Sequence, residues 1–211
     1  MRRFVSGLVL LCVLAVPALG EVSVSREYSL PVFPREDSVQ KDAETGAELL
    51  FLTNAKYKDT NLYFHQRSWL ADSSMILFLS NREQGGLMAY VVETGEVVQL
   101  TAADGSKLTA PTAAVNRNSV FALAGERVLE IQLTLIIKEH KGEKHAKVTA
   151  RERHLCSVKG VDTYINENCT GQYLAVSGAA LEGGEAGLGL VNEETGQFER
   201  LCDMPEGVTY H

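Results

Sequence analysis

Apolar residues along this chain come in short runs that alternate with polar turns, and the spacing predicts strands. Met75-Ile76-Leu77-Phe78-Leu79-Ser80 is followed by a polar loop at 81–86, and then by Leu87-Met88-Ala89-Tyr90-Val91-Val92. A Thr94-Gly95 turn leads into Glu96-Val97-Val98-Gln99-Leu100-Thr101. The same order returns later. Gln172-Tyr173-Leu174-Ala175-Val176-Ser177, a glycine-rich loop at 178–187 and Leu188-Gly189-Leu190-Val191 precede Thr195-Gly196 and Gln197-Phe198-Glu199-Arg200-Leu201-Cys202. Glycine suits a tight turn because it reaches positive φ without steric cost. A looser copy, Thr45-Gly46-Ala47-Glu48-Leu49-Leu50-Phe51-Leu52-Thr53, comes early in the chain. No long helical period is found beyond the first twenty residues.

Thr94 and Thr195 stand 101 positions apart, and a further unit of the same kind lies between them. It holds Ser119-Val120-Phe121-Ala122-Leu123-Ala124, a turn at Gly125-Glu126, Val128-Leu129-Glu130-Ile131-Gln132-Leu133 and a charged stretch from Lys138 to Lys147. A period of about fifty residues with about four short strands per unit predicts β-propeller blades. The expected fold is all-β, a partial propeller of four-stranded antiparallel blades at about 61–101, 111–158 and 164–203. Residues 21–44, with Pro31 and Pro34, read as a lead-in arm. The 45–53 copy reads as a lone outer strand that would complete the last blade and latch the ring. Three blades do not close a ring, and 208–211 fall where another blade would begin. The expectation is therefore an amino-terminal fragment.

Residues 1–20 match an export signal: Arg2 and Arg3, an apolar run from Phe4 to Val16, and small residues before position 21. The protein is expected to be secreted or periplasmic, with no membrane partner once the signal is removed. Its removal takes away two arginines, and the formal net charge falls from −7 to −9. That balance argues against nucleic acid or anionic membrane as a partner, while a local arginine can still bind an acidic ligand. Cys156, Cys169 and Cys202 cannot all pair within one chain. One disulfide with a free thiol is open, and buried small apolar residues are the favoured reading. The spacing of His140, His145 and His154 suits neither a helical nor a strand metal pair, and a solvated hairpin is expected there. Asn168-Cys169-Thr170 reads as a turn. The glycine-rich 183–187 segment lacks the lysine and helix of a phosphate loop.

The segment Asn61-Leu62-Tyr63-Phe64-His65-Gln66-Arg67-Ser68-Trp69, with Asp72, Ser80-Asn81-Arg82 and Val97-Val98-Gln99-Leu100-Thr101, resembles the first blade of the oligogalacturonate lyase family, relatives of the TolB-type propellers. Asp72-Ser73 departs from the Asp-Gly turn common in such repeats. The resemblance implies a seven-bladed propeller that cleaves galacturonate dimers and short oligomers by β-elimination in pectin degradation. It also implies a divalent metal, typically manganese, held by histidines and a glutamine in later blades beyond residue 211. No catalytic residue or metal ligand is carried over to this chain. Two alternatives stand beside it: a non-catalytic propeller that binds a protein or glycan, and a hydrolase with its nucleophile in a later domain. The candidate substrate-binding residues are His65 and Arg67. If the segment is extended they point the same way, and a guanidinium is a natural partner for a uronate carboxylate. Phe64 and Trp69 are expected in the core.

Overall fold

The computed structural model describes residues 22–54, 56–82 and 85–204. The expected export signal and the closing segment at 208–211 lie outside them. The described chain is all-β, with one 3-10 turn at Leu181–Gly183 as its sole helical element among the described residues.

The leading segment carries β1 (Ser23–Val24), β2 (Tyr28–Ser29), β3 (Val32–Phe33), β4 (Ser38–Lys41) and β5 (Glu48–Phe51). Three sheets follow. The first is β6 (Asp59–Asn61), β7 (Met75–Ser80), β8 (Gly86–Val91) and β9 (Val97–Gln99). The second is β10 (Thr109–Ala113), β11 (Ser119–Ala124), β12 (Arg127–His140) and β13 (Glu143–Ser157). The third is β14 (Ile165–Glu167), β15 (Tyr173–Gly178), β16 (Gly187–Asn192) and β17 (Phe198–Asp203). In each sheet the strands pair antiparallel with their neighbours in chain order, the up-and-down pattern of a propeller blade.

The repeated Thr-Gly phrase forms one turn three times. Gly46, Gly95 and Gly196 have φ of 72°, 74° and 69°, a region that glycine alone enters freely. Their amides donate to the carbonyls of Asp42, Val91 and Asn192 at 2.8–2.9 Å. The threonine Oγ1 accepts the amide two residues on at 3.3 Å in all three.

The period-two alternation decides which sheet each side chain meets. All six residues of β11 are buried, because sheets cover both of its faces. Val120, Ala122 and Ala124 share a core with Leu77, Leu87 and Leu100 of the first sheet. Phe121 and Leu123 share another with Ile165, Leu174 and Val176 of the third. A smaller cluster of Phe78, Met88, Tyr90 and Val97 lies on the other face of the first sheet, with Leu52 against it.

The leading segment is sewn to the outer edges of the sheets. β1 and β2 pair with β13, and β3 pairs with β9. Arg82 bonds Glu36 at 2.5 Å and the Tyr90 hydroxyl donates to Asp37 at 2.8 Å, which pins the segment to the first sheet. Residues 45–53 do not form a lone strand. β5 returns on β4 as a hairpin, and the expected boundary at 44/45 falls in its turn. Asp42 Oδ1 closes that turn, accepting from the Thr45 amide at 2.7 Å and hydroxyl at 2.6 Å.

The charged stretch is a protruding hairpin, with Lys141 and Gly142 both at positive φ in its tip. It leans on the first sheet. Lys144 pairs with Glu93 at 2.8 Å, and Glu96 takes the Ala146 amide at 2.5 Å and His145 Nδ1 at 3.2 Å. His140 lies at the end of β12, and His154 meets Ser157 Oγ at 3.1 Å. Asn168 closes the expected turn through its Oδ1, which accepts the Gln172 amide at 3.0 Å.

Cys156, Cys169 and Cys202 are free thiols, and the exposure of Cys169 and Cys202 corrects the expectation that all three are buried apolar fillers. Cys169 and Cys202 are exposed because they sit in a turn and at an outer strand. Cys156 is half-buried, and burial together with the charge of Glu182 pushes its thiol up to about 12.

Candidate functional site

Each sheet presents its first strand at the inner edge, and the inner strand of the first sheet is broken. Asn61 pairs with Phe78, yet the next bridge to β7 is Trp69 with Ile76. Six extra residues are thereby looped out between two pairings that are nearly adjacent on β7. The loop has two feet. Leu62 is buried in the core shared by the first and second sheets. Arg67 is tied to the end of β10: its amide donates to Thr112 Oγ1 at 3.2 Å, its carbonyl accepts the Ala113 amide at 2.9 Å, and its Nε donates to the Ala113 carbonyl at 3.0 Å. Between the feet, Tyr63 and Gln66 close a turn. The Gln66 amide donates to the Tyr63 carbonyl at 2.7 Å, and Gln66 Oε1 accepts the Tyr63 amide at 3.1 Å.

The loop reaches past the second sheet to the inner strand of the third. The Tyr63 ring stacks on Tyr164 with centroids 5.5 Å apart and planes 29° apart. Phe64 lies 4.4 Å from Tyr63 and 3.9 Å from His65, centroid to centroid. Arg67 Nη2 donates to Glu167 Oε2 at 3.1 Å and to its carbonyl at 3.4 Å.

Glu167 belongs to a larger set of charges. Its side chain is fully buried. Oε2 also accepts the Val115 amide, and Oε1 meets Arg117 Nη1 at 3.1 Å. Arg117 reaches two further carboxylates, Glu130 at 2.7 Å and Glu193 at 2.5 Å, and lies over the Phe121 ring at 5.1 Å. Arg153 binds Glu130 from the other side, and its Nη2 donates to the Glu193 carbonyl at 2.9 Å. Three arginines and three glutamates thus join all three sheets, in a network that runs from Glu167 on the inner strand β14 to Arg153 on the outer strand β13. Burial favours a neutral Glu130, but Arg117, Ser119 and Arg153 more than offset it and hold the carboxyl below the usual range. Burial raises Glu193, Arg117 counters this only in part, and Glu167 and Glu130 push it further up. Glu193 Oε1 is buried without a hydrogen-bond partner among the described residues.

Of the two predicted residues, Arg67 joins this arrangement through Glu167, and His65 is exposed and packs on Tyr63 and Phe64. The segment that carries them is not extended: 62–67 forms a loop. Phe64 and Trp69, expected in the core, are 76% and 52% exposed. An inner edge has no further layer to cover it. Sequence reading missed Tyr63, Tyr164, Arg117 and Glu167. One signal was available: Glu130 interrupts the apolar run Val128-Leu129-Glu130-Ile131, and a carboxylate in a buried strand requires a cationic partner.

Arg67 combines fixed placement with access. Its side chain is 42% exposed, and its Nη1 makes no hydrogen bond among the described residues. Such a group can take one oxygen of an incoming carboxylate. Among the described residues no group of three or more His, Cys, Asp or Glu could hold a metal ion, and Glu130, Glu167 and Glu193 are already held by arginines. The described residues therefore do not fit a manganese centre.

No family model matches the chain, and no curated protein matches it. Solved structures do resemble it. One is an oligogalacturonate lyase in complex with manganese, 15% identical, with a TM-score of 0.59 over 81% of this chain and 48% of that one. Another is the oligogalacturonate lyase from Vibrio parahaemolyticus, 16% identical, with a TM-score of 0.60 over 82% of this chain and 48% of that one. At such identities the likeness is one of fold: the chain is a partial β-propeller built like these, and it spans about half the length of the structures it matches.

Proposed function

We propose that this chain forms part of an oligogalacturonate lyase-like propeller that cleaves short galacturonate oligomers by β-elimination. In this reading the described residues supply a wall that holds substrate carboxylate, and the groups that move protons and any metal lie outside them. The protein is exported and acts in pectin breakdown in the periplasm or outside the cell. The observation that carries the reading is Arg67, a half-exposed guanidinium held by Ala113 and Glu167 at the inner edge of a lyase-like fold. Its fixed charge suits an anionic sugar: the loop has lost its freedom before the ligand arrives, so less entropy is lost on binding. His65, exposed beside it, offers a hydrogen bond to a hydroxyl.

The test is calorimetric titration with digalacturonate, with and without manganese, alongside absorbance of the unsaturated product. The 211-residue chain should bind digalacturonate, and Arg67→Ala should weaken binding about tenfold, the effect of losing one charge-assisted hydrogen bond. No product should form. Turnover by this chain would overturn the assignment of catalysis to residues outside those described. Equal binding by the wild type and Arg67→Ala would remove the carboxylate role. A non-catalytic sugar-binding propeller is the reading left if the complete ring binds without turnover.

A further inference from the structure

We infer that the looped-out turn at 63–66 is a stacking platform for a sugar ring, with Phe64 as its contact surface and Tyr63 on Tyr164 as its base. This rests on the carboxylate reading of Arg67 and adds a second subsite beside it.

Three observations carry it. The first is the exposure of Phe64. Its ring is 76% open to solvent on a turn that the chain has otherwise braced, so a face of it is accessible to a ligand. The second is the bracing. Tyr63 is held by the Tyr164 ring stacked on it, and the turn is closed by two hydrogen bonds between Tyr63 and Gln66, one donated by each amide. The ring therefore stands on a fixed base, and an exposed aromatic that does not have to be ordered on binding loses little entropy there. The third is chemical pairing within one loop. Phe64 and Arg67 are three positions apart, and between them the chain presents an apolar face and a cation. A galacturonate unit has matching parts: a ring face of C–H groups with partial positive charge, and a carboxylate at its edge. The C–H face suits the electron-rich face of an aromatic ring, and the carboxylate suits the guanidinium. One sugar unit placing its carboxylate on Arg67 leaves its neighbour to lie on Phe64. The platform is thus a determinant of chain length: it should favour a dimer or trimer over a single unit.

The protein carries its own reporter. Trp69 is its one tryptophan, half-exposed where the same inner strand rejoins its sheet. Its emission can be followed during titration with galacturonic acid, di- and trigalacturonate, and neutral galactobiose. Phe64→Ala should weaken trigalacturonate binding about tenfold while changing the affinity for the monomer less than twofold. Phe64→Tyr should restore oligomer binding to within about twofold of wild type, because the ring face remains. Removal of an exposed ring leaves the fold intact, which the far-ultraviolet circular dichroism of each variant checks. Unchanged trigalacturonate binding by Phe64→Ala would overturn the platform, and so would an equal loss for monomer and trimer. Galactobiose separates the two readings. If it binds in a Phe64-dependent way as tightly as digalacturonate, the platform stands and the uronate reading falls. If Arg67→Ala weakens only the acidic sugars and Phe64→Ala weakens only the oligomers, both stand. If none of these sugars binds, the platform falls together with the reading on which it rests.

Discussion

The second sheet meets its two neighbours in different ways. Against the first sheet it presents hydrocarbon: Val120, Ala122, Leu129 and Ile131 interleave with Leu77, Leu87 and Leu100. Against the third it also buries Phe121 and Leu123, but that junction is crossed by Arg117, Arg153 and three glutamates as well. Hydrocarbon contact scales with area and tolerates small shifts, whereas an arginine shared by three carboxylates fixes angle and distance. The first junction therefore makes the sheets adhere, and the second sets how their inner strands stand relative to one another. Arg67 is held from both sides of this divide: its backbone is on β10 and its charge on Glu167.

The largest effect is expected from breaking the ionic junction. Arg117→Ala leaves Glu130, Glu167 and Glu193 buried with too few cations, and loss of one partner from a buried set costs about 3–5 kcal/mol. Urea denaturation should show this, and the same variant should lose digalacturonate affinity because Glu167 no longer holds Arg67 in place. Breaking the hydrocarbon junction should cost somewhat less and behave differently. Leu77→Ala should destabilise by about 3 kcal/mol through lost burial and a cavity, with a cost that is the same at pH 4 and pH 7. If the Arg117→Ala cost is equally flat with pH, the contrast between the junctions is wrong.

The smallest effect concerns Glu193. Its folded carboxyl titrates above its unfolded value of about 4.3. Its contribution to stability is therefore present below that value and is lost as pH rises through the folded one. Glu193→Gln does not titrate, so the variant should gain on the wild type between pH 4 and pH 7. Glu130, held below the usual range, works in the opposite direction: its contribution is present above the unfolded value and is lost as pH falls through the folded one. Paired urea curves at the two pH values would read the difference.

The blades were legible because their signals are local. A Thr-Gly turn between apolar runs specifies its own hydrogen bonds, and the three copies have matching geometry. The protruding hairpin was legible from its charge. The β4–β5 hairpin was not, because Ser38-Val39-Gln40-Lys41 is too polar to read as a strand, and its pairing is set by the Asp42 turn. At the candidate site, Arg67 could be picked by residue type, but its partners could not. Glu167 lies 100 positions away, and no local pattern shows that a strand breaks at Asn61 and resumes at Trp69. Tertiary contacts with Thr112, Ala113 and Glu167 decide that. Phe64 and Trp69 were misplaced for a related reason: hydrophobicity reports a preference for cover, and the inner edge of a blade lacks it.

The stitching of the leading segment also orders events during synthesis. Ser25 Oγ accepts the Glu152 amide across 127 residues, so residues 22–30, which leave the ribosome early, lack their β13 partner until the second sheet is nearly complete. The outer rim of the second sheet is thus sealed late by residues made long before it, and Ser23, Ser25, Arg26 and Glu27 suit a tether that must wait in water without aggregating.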